Sequence, residues 1–309
     1  MKNIFIAFAV VILMIIGAVF LIEKPSQKPG KEQHLTIKGS DTEVQLVSNL
    51  VEAFLEENPN ANISVTGGGS GVGIAALLNG EIDVANSSRK MKDEELLQAK
   101  NKNLDVQEFI LARDGLSIIV HPQNPVEKLT LDQIRKIYKG EIINWKDVGG
   151  KNERIVLYGR QTTSGTYIFF RDFVVKDDYS PEMKNMEGSQ AIVDAVKVDK
   201  NGIGYVSVGY IKDENGRPRQ EIKIVPIVQE TNDIAISPLD KEAVKRGDYP
   251  ISRPIFQYLA HLPAKDSLLE KFLLFETSSE GQEIIEKTGF YSLTEVDVKQ
   301  NQLLFKKIR

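Results

Sequence analysis

Cysteine is absent from all 309 residues. Its absence excludes disulfides, thiolate metal sites, cysteine nucleophiles and lipid attachment through an N-terminal cysteine, while leaving the compartment open. Histidine is scarce: His34, His121 and His261 are the only three. None forms an H-x-H pair or a triad pattern, and there is no D-x-D cluster and no G-x-S-x-G elbow. These histidines are expected at surface or structural positions, so no metal, no cofactor and no catalytic residue is implied. A strong excess of one charge is also missing. Lys and Arg number 39 against 43 Asp and Glu, a net charge of -4. No basic stripe marks a nucleic-acid surface. Any anion site must therefore be local rather than a property of the whole field.

What is present is an ordinary folded body, 41% hydrophobic and 27% charged. Its length predicts one or two domains. The N-terminus differs. "IFIAFAVVILMIIGAVFLI", Ile4 to Ile22, runs 19 residues without a charge. A secretory signal has a shorter apolar stretch of ~7–15 residues and a small-x-small cleavage site. Spanning a bilayer takes ~20 residues. No clean Ala-x-Ala follows, and Lys2 fits an N-inside orientation. Residues 1–22 are expected to be an uncleaved membrane anchor, with a cleaved signal as the alternative. Either places the body outside the cytoplasm. Residues 23–34, rich in charge, Pro and Gly, read as a flexible tether.

The body alternates strand and helix signals. "HLTIKGS" reads as a strand, and Val44, Val47, Leu50, Val51, Phe54 and Leu55 mark an amphipathic helix. "NISVTGG" and "EIDVANSS" read as strands on either side of a short helix, "GVGIAALLNG", closed by Gly80. "KDEELLQAK" is a charged surface helix, and "QEFILARDGLSIIVH" is a β-prone run interrupted by Arg113-Asp114-Gly115. Thr130 and Gln133 form a capping box for a helix ending near Tyr138. Ile155 to Gly159 is a strand, and the aromatic spacing predicts a helix from about Gly165. "IGYVSVGYI" and "PIFQYLA" supply further strands, and the chain from Asp266 is mainly helical. Such alternation predicts an α/β protein with sheets covered on both faces. In these folds ligands sit where strands end and helices begin.

Four such junctions carry small polar residues. "KGSDTEVQ" contains Ser40 and Glu43 in S-x-x-E spacing, a capping box in the bland reading. "TGGGSGVG" allows close backbone approach and adds the Ser70 hydroxyl. "GVGIAA" within it matches the dinucleotide pattern G-x-G-x-x-A, but no acidic ribose contact follows at a strand end. "NSSRKM" offers Ser88 and Arg89, and "GRQTTSGTY" offers Arg160, Ser164, Gly165 and Thr166. A simple helix cap from Thr163 or Ser164 would account for this last loop alone. Taken together the loops suit a small tetrahedral oxyanion, wrapped by N–H and O–H donors with one guanidinium.

The pieces "GSDTEVQLV", "VTGGGSGVGIAALLNGEIDVANSSRKMKDEE", "DGLSIIVHPQNPV", "LTLDQIRKIYKGEIINWKDVGG", "LYGRQTTSGTYIFFRDFV" and "GIGYVSVGYI" follow one another over nearly the whole body from about Leu35. In them the chain resembles the extracytoplasmic phosphate-binding proteins of high-affinity phosphate ABC transporters. The resemblance implies a two-lobed, type II periplasmic-binding-protein-like α/β fold with the ligand in the interlobe cleft. Crossings near Gly115 and Ile251 would make residues 35–115 and 252–309 one lobe and 116–251 the other. Phosphate contacts carried over by position fall on Ser40, Asp41, Thr42, Ser70, Gly71, Ser88, Arg160, Ser164, Gly165 and Thr166. Arg160, the only cation within the hydroxyl loops that has a family match, would be the charge partner. The implied partners are inorganic phosphate, the permease subunits and the membrane through the N-terminal segment.

One departure bears on selectivity. Better-known members carry an Asp where this chain has Ser88, and that carboxylate accepts the proton that phosphate keeps and sulfate lacks. Here Asp41 stands where those members usually hold Ser or Thr, so the acceptor is expected to have moved to Asp41. Arg89 is left between charge compensation at the ligand and a plain surface position. Other readings stay open: a sensor or scaffold of the same fold, a phosphatase, or a binder of sulfate, molybdate or arsenate.

Overall fold

The structure is a computed structural model and describes residues 33–213, 215–229 and 234–308. Ile4 to Ile22 and nearly all of the tether lie outside the described residues. Among those described, no helix is long and apolar enough to cross a membrane. His34, expected in the tether, belongs to the first strand, β1 (Gln33–Gly39).

Five strands form the first sheet, in the order β2 (Ala61–Thr66), β1, β3 (Val84–Ser87), β13 (Ser252–Leu259), β4 (Gln107–Gly115). The second sheet runs β10 (Lys223–Val225), β5 (Ser117–Val120), β9 (Gly202–Val206), β7 (Val156–Arg160), β8 (Lys184–Met186). A small third sheet joins β12 (Ala235–Ile236), β11 (Ile227–Val228) and β6 (Leu129–Thr130). The chain leaves the first sheet after Gly115 and returns to it at Ser252. Arg113-Asp114-Gly115 was expected to interrupt a single run, yet these residues complete β4. The break falls at Leu116, where the chain passes from one sheet to the other.

The two five-stranded sheets have separate cores, which makes two lobes, and the small third sheet packs into the second core. Helix α1 (Val44–Glu57) buries Leu46, Val47, Leu50, Val51 and Phe54, a stripe at helical spacing, against Phe109 and Phe272. Around the second sheet, Tyr138, Trp145, Phe170 and Tyr205 are buried together. Burying one such large side chain contributes ~1.5–3 kcal/mol, so either core is a substantial body. Tyr205 stacks on Phe170 at 4.1 Å and meets Tyr138 edge-on at 5.4 Å.

Four junctions position the site, the first of them between β1 and α1. β1 pairs in parallel with β3, and β7 in parallel with β8 and β9. The strand ends of each lobe therefore deliver their loops to one edge. Helix α2 (Ser70–Leu78) follows β2, α3 (Asp93–Asn101) follows β3, and α5 (Gly165–Phe170) follows β7, with α4 (Leu131–Lys139) between the last two. The expected capping box of α4 forms: Thr130 N donates to Gln133 Oε1 at 2.8 Å and Gln133 N to Thr130 Oγ1 at 3.0 Å. The capping box of the bland reading at Ser40 and Glu43 does not form, because Ser40 is engaged elsewhere and the Glu43 carboxylate has no partner. Ser40 N donates to the Asn86 carbonyl at 2.9 Å and Ser40 Oγ to Ser88 Oγ at 3.1 Å. The G-x-G-x-x-A match lies inside α2 rather than in a loop.

Candidate functional site

The β1–α1 loop presents Ser40, Asp41 and Thr42. Ser70 opens α2, Ser88 follows β3, and Thr166 stands in the first turn of α5. In the first turn, backbone N–H groups lack intrahelical acceptors. Ser88 Oγ is the meeting point. Ser40 Oγ donates to it at 3.1 Å, Ser70 Oγ lies at 3.3 Å and Thr166 Oγ1 at 3.2 Å. Thr42 Oγ1 and Thr166 Oγ1 are 3.0 Å apart. All five residues are at most 2% exposed. Four come from the first lobe and Thr166 from the second, so the cluster exists only where the lobes meet.

Close approach of the lobes requires glycine at one position above all. A Cβ on Gly165 would lie 2.2 Å from Ser70 Oγ and 2.8 Å from Ser88 Oγ. Gly69, at φ +96°, would put a Cβ 2.6 Å from the Thr163 carbonyl. Gly71 N donates to that carbonyl at 3.0 Å, so its amide ties the two loops together and is not turned to the hydroxyl cluster. Ser164 does cap α5, accepting from Tyr167 N at 3.3 Å. A hydroxyl that accepts can still donate, so capping and anion contact are compatible.

Arg160, 1% exposed, ends β7. Its Nη2 meets Asp41 Oδ2 at 2.5 Å, Nη1 donates to Ser189 Oγ at 2.9 Å, and Nε to Gln161 Oε1 at 3.1 Å. Asp41 Oδ1 accepts from Gly68 N at 2.7 Å, and the Asp41 carbonyl accepts from the Tyr210 hydroxyl at 2.8 Å. Arg160 N donates to Tyr205 Oη at 3.2 Å. Burial pushes the Tyr205 and Tyr210 phenols each up to about 12, against the opposing pull of Arg160. They are neutral hydrogen-bonding groups at physiological pH, not bases.

Arg89 is not the plain surface residue that one of its two expectations made it. It is 5% exposed and makes a two-pronged pair with Glu95, Nη1 to Oε2 at 2.7 Å and Nη2 to Oε1 at 2.6 Å. It is thus a buried residue that fastens the start of α3. Nor is Arg160 the one cation at the hydroxyls. Arg253, 2% exposed on β13, donates from Nη2 to Thr166 Oγ1 at 3.0 Å and from Nη1 to the Ser88 carbonyl at 2.9 Å. Its Nε donates to Asp114 Oδ2 at 2.9 Å. Arg253, Asp114, Ser189 and Tyr210 join the candidate site through these contacts, and motif reading missed them. A signal existed for two of them: Arg253 and Asp114 are charges inside apolar, β-prone runs.

Behind the site sits Glu43, fully buried, with neither carboxylate oxygen hydrogen-bonded. Burial raises its pKa well above the ordinary value, outweighing the Ser40 hydroxyl and the Arg253 charge. The Ser40 hydroxyl is close enough to oppose the rise but donates to Ser88 instead. Beside it, Arg160 pairs with Asp41 and Arg253 with Asp114.

Two lobes with a buried, donor-rich hydroxyl cluster between them define the class: a two-lobed, type II ligand-binding protein whose cleft suits a small oxyanion. Comparison with known proteins agrees. The model of the PBP superfamily domain matches residues 24–280. The phosphate-binding protein PstS of Staphylococcus haemolyticus (strain JCSC1435) is 33% identical over 267 residues, 85% of this chain and 82% of that one. PstS of Staphylococcus aureus (strain USA300) is 32% identical, over 84% of this chain and 79% of its own. A Clostridium perfringens chain, described as a phosphate ABC transporter substrate-binding protein and solved with bound phosphate, superposes with a TM-score of 0.73 at 29% identity. It covers 84% of this chain and all of its own. An ABC-type phosphate transport receptor from Vibrio cholerae gives 0.67 at 27%, over 83% of this chain and 99% of its own. The chain belongs to the PBP superfamily and, within it, to the PstS family of phosphate-binding proteins.

Proposed function

We propose that this protein binds inorganic phosphate outside the cytoplasm and delivers it to the permease of an ABC transporter for import. The observation that carries the reading is the convergence of Ser40, Thr42, Ser70, Ser88 and Thr166, from both lobes, beside two buried guanidiniums. In this reading the lobes are residues 35–115 with 252–309, and 116–251. Phosphate takes hydrogen bonds from the hydroxyls, from Ser164, from the Gly165 and Thr166 amides and from Arg160. Asp41 accepts the proton of the phosphate O–H on a lone pair not used by Arg160 or Gly68. The PstS name of the relatives and the phosphate in the Clostridium perfringens structure support it.

A binding role fits better than catalysis. His34 Nε2 lies 2.9 Å from Thr36 Oγ1 and His121 Nδ1 accepts from Gln123 N at 3.0 Å, so both are engaged locally. The experiment is calorimetric titration of the dialysed protein with phosphate, sulfate and molybdate, with turnover of a chromogenic phosphate ester as a parallel assay. Uptake of phosphate alone, without turnover, is expected; preference for another anion, or hydrolysis, refutes the reading. Ile4 to Ile22 is proposed to stay on the mature protein as its anchor. N-terminal sequencing checks this, and a start near residue 24 to 34 overturns it.

A further inference from the structure

Arg253 and Asp114 lie where the chain crosses between lobes, and neither stands in one of the hydroxyl-bearing loops. They face each other directly in the β4–β13 register. Both are almost wholly buried, at 2% and 0% exposure, with Nη2 also 2.8 Å from Asp114 Oδ2. Each reaches past its own sheet. Asp114 Oδ1 accepts from Ser207 Oγ at 2.8 Å and from Val208 N at 3.0 Å, at the end of β9 in the other lobe. Arg253 reaches the Thr166 hydroxyl, also in the other lobe. Its guanidinium lies 5.0 Å from the Phe169 ring, one turn along α5.

A hydroxyl has one proton to give, and a guanidinium can only donate. Because Arg253 donates to Thr166 Oγ1, the Thr166 proton is turned away from Arg253 and into the cluster. The same logic holds at two other positions. Ser88 N donates to Ser70 Oγ at 3.1 Å and Tyr167 N to Ser164 Oγ at 3.3 Å. Backbone N–H groups likewise only donate. Three hydroxyls thus have an acceptor side occupied by a fixed donor, leaving each proton for the ligand. Ser70 and Ser164 are oriented within their own lobes. Thr166 alone is oriented from across the cleft.

Resting on the phosphate reading above, we infer that Arg253 is a positioning residue. Held by Asp114, it turns the Thr166 hydroxyl into a donor for the anion and couples that orientation to lobe closure. Lysine at 253 keeps the charge but not the planar fork, and cannot hold Asp114, the Ser88 carbonyl and Thr166 together.

The test compares wild type, Arg253→Lys, Thr166→Val and the double variant by phosphate calorimetry. Arg253→Lys is expected to weaken phosphate roughly ten- to a hundredfold, the range for hydrogen bonds to charged groups. In the Thr166→Val background the same change should add less than about twofold, because Arg253 then has no hydroxyl to orient. Because the chain has no cysteine of its own, spin labels at Lys100→Cys and Lys146→Cys report the interlobe distance. Both sites are exposed, one in each lobe. Without added anion, Arg253→Lys should shift that distance to longer values. If Arg253→Lys fails to fold, Arg253→Met with Asp114→Asn removes the charges as a pair and takes its place in both measurements. Native affinity in the single variant, losses that multiply in the double variant, or an unchanged distance distribution overturns the inference. Failure of the phosphate reading shows separately, as no phosphate uptake by the unsubstituted protein, and the anion-free distances still decide the wiring.

Discussion

At the scale of single residues, the proposed reading makes the Arg160–Asp41 pair decide both strength and choice of ligand. Arg160 commits one N–H each to Asp41, Ser189 and Gln161, which leaves two of a guanidinium's five. Arg160→Ala is expected to fold, since the Asp41 side chain is 21% exposed and regains water. It should nearly abolish anion binding. Removing one partner of a buried charged pair costs ~3–5 kcal/mol, roughly two to four decades of affinity. A variant with native melting and unchanged phosphate affinity removes Arg160 from the site. Asp41→Asn tests selectivity instead. In the proposed reading the carboxylate takes a phosphate O–H and repels a fully deprotonated anion, whereas the amide would lose the charge and add donors. Phosphate should weaken roughly ten- to a hundredfold, while sulfate binds equally or better. Calorimetry with both anions at one pH checks this. If both affinities stay within twofold, the acceptor is not Asp41.

At the scale of elements, the start of α5 sets how near the lobes come. Alanine at a helix position is ordinarily favoured over glycine by ~0.5–1 kcal/mol, so Gly165→Ala should not loosen the helix itself. Its methyl would occupy the place of Ser70 Oγ, 2.2 Å away. The expected outcome is a native melting temperature with phosphate binding lost and no compaction on adding phosphate by small-angle scattering. Compaction equal to wild type contradicts the geometry. This junction was legible in the sequence because its signals are local: small polar residues, glycine and the aromatic helix spacing all lie within a dozen residues. The α4 capping box was legible for the same reason. The false box at Ser40 and Glu43 shows the limit, because tertiary partners, Asn86 and Ser88, claimed groups that local spacing assigned to a cap. Arg253 and Asp114 mark the same limit from the other side. They are 139 positions apart, and their pairing depends on β13 returning beside β4. The polar interruption in "LARDGL" was visible, but its partner was not.

At the scale of the whole molecule, buried carboxylates in the first lobe tie folding to pH. Glu276 is fully buried, and burial pushes its pKa from an ordinary 4.5 up to about 8. Gln257 Nε2 donates to its Oε1 at 3.0 Å and only partly opposes the rise, and its Oε2 has no partner. Glu43 is raised in the same direction by burial, with Asp114 and Glu276 adding repulsion and Arg253 opposing. The sign follows from proton counting. Below the unfolded value of 4.5, folded and unfolded chains are both protonated at Glu276 and stability is full. Between 4.5 and about 8 the unfolded chain sheds a proton that the folded chain keeps, so stability falls as pH rises. The slope is about 1.4 kcal/mol per pH unit for one fully shifted group. Glu276→Gln removes that group while keeping shape. Its new amide brings two buried N–H donors to the place of Oε2, which has no partner; each costs about 1–3 kcal/mol at every pH, so absolute stability is the wrong readout. The difference between variant and wild type is the right one. Urea unfolding at pH 5, 6.5 and 8 should show the variant less stable than, or equal to, wild type at the acid end and gaining on it steadily toward pH 8. A constant difference across the three values would mean that Glu276 ionises alike in the folded and unfolded chains.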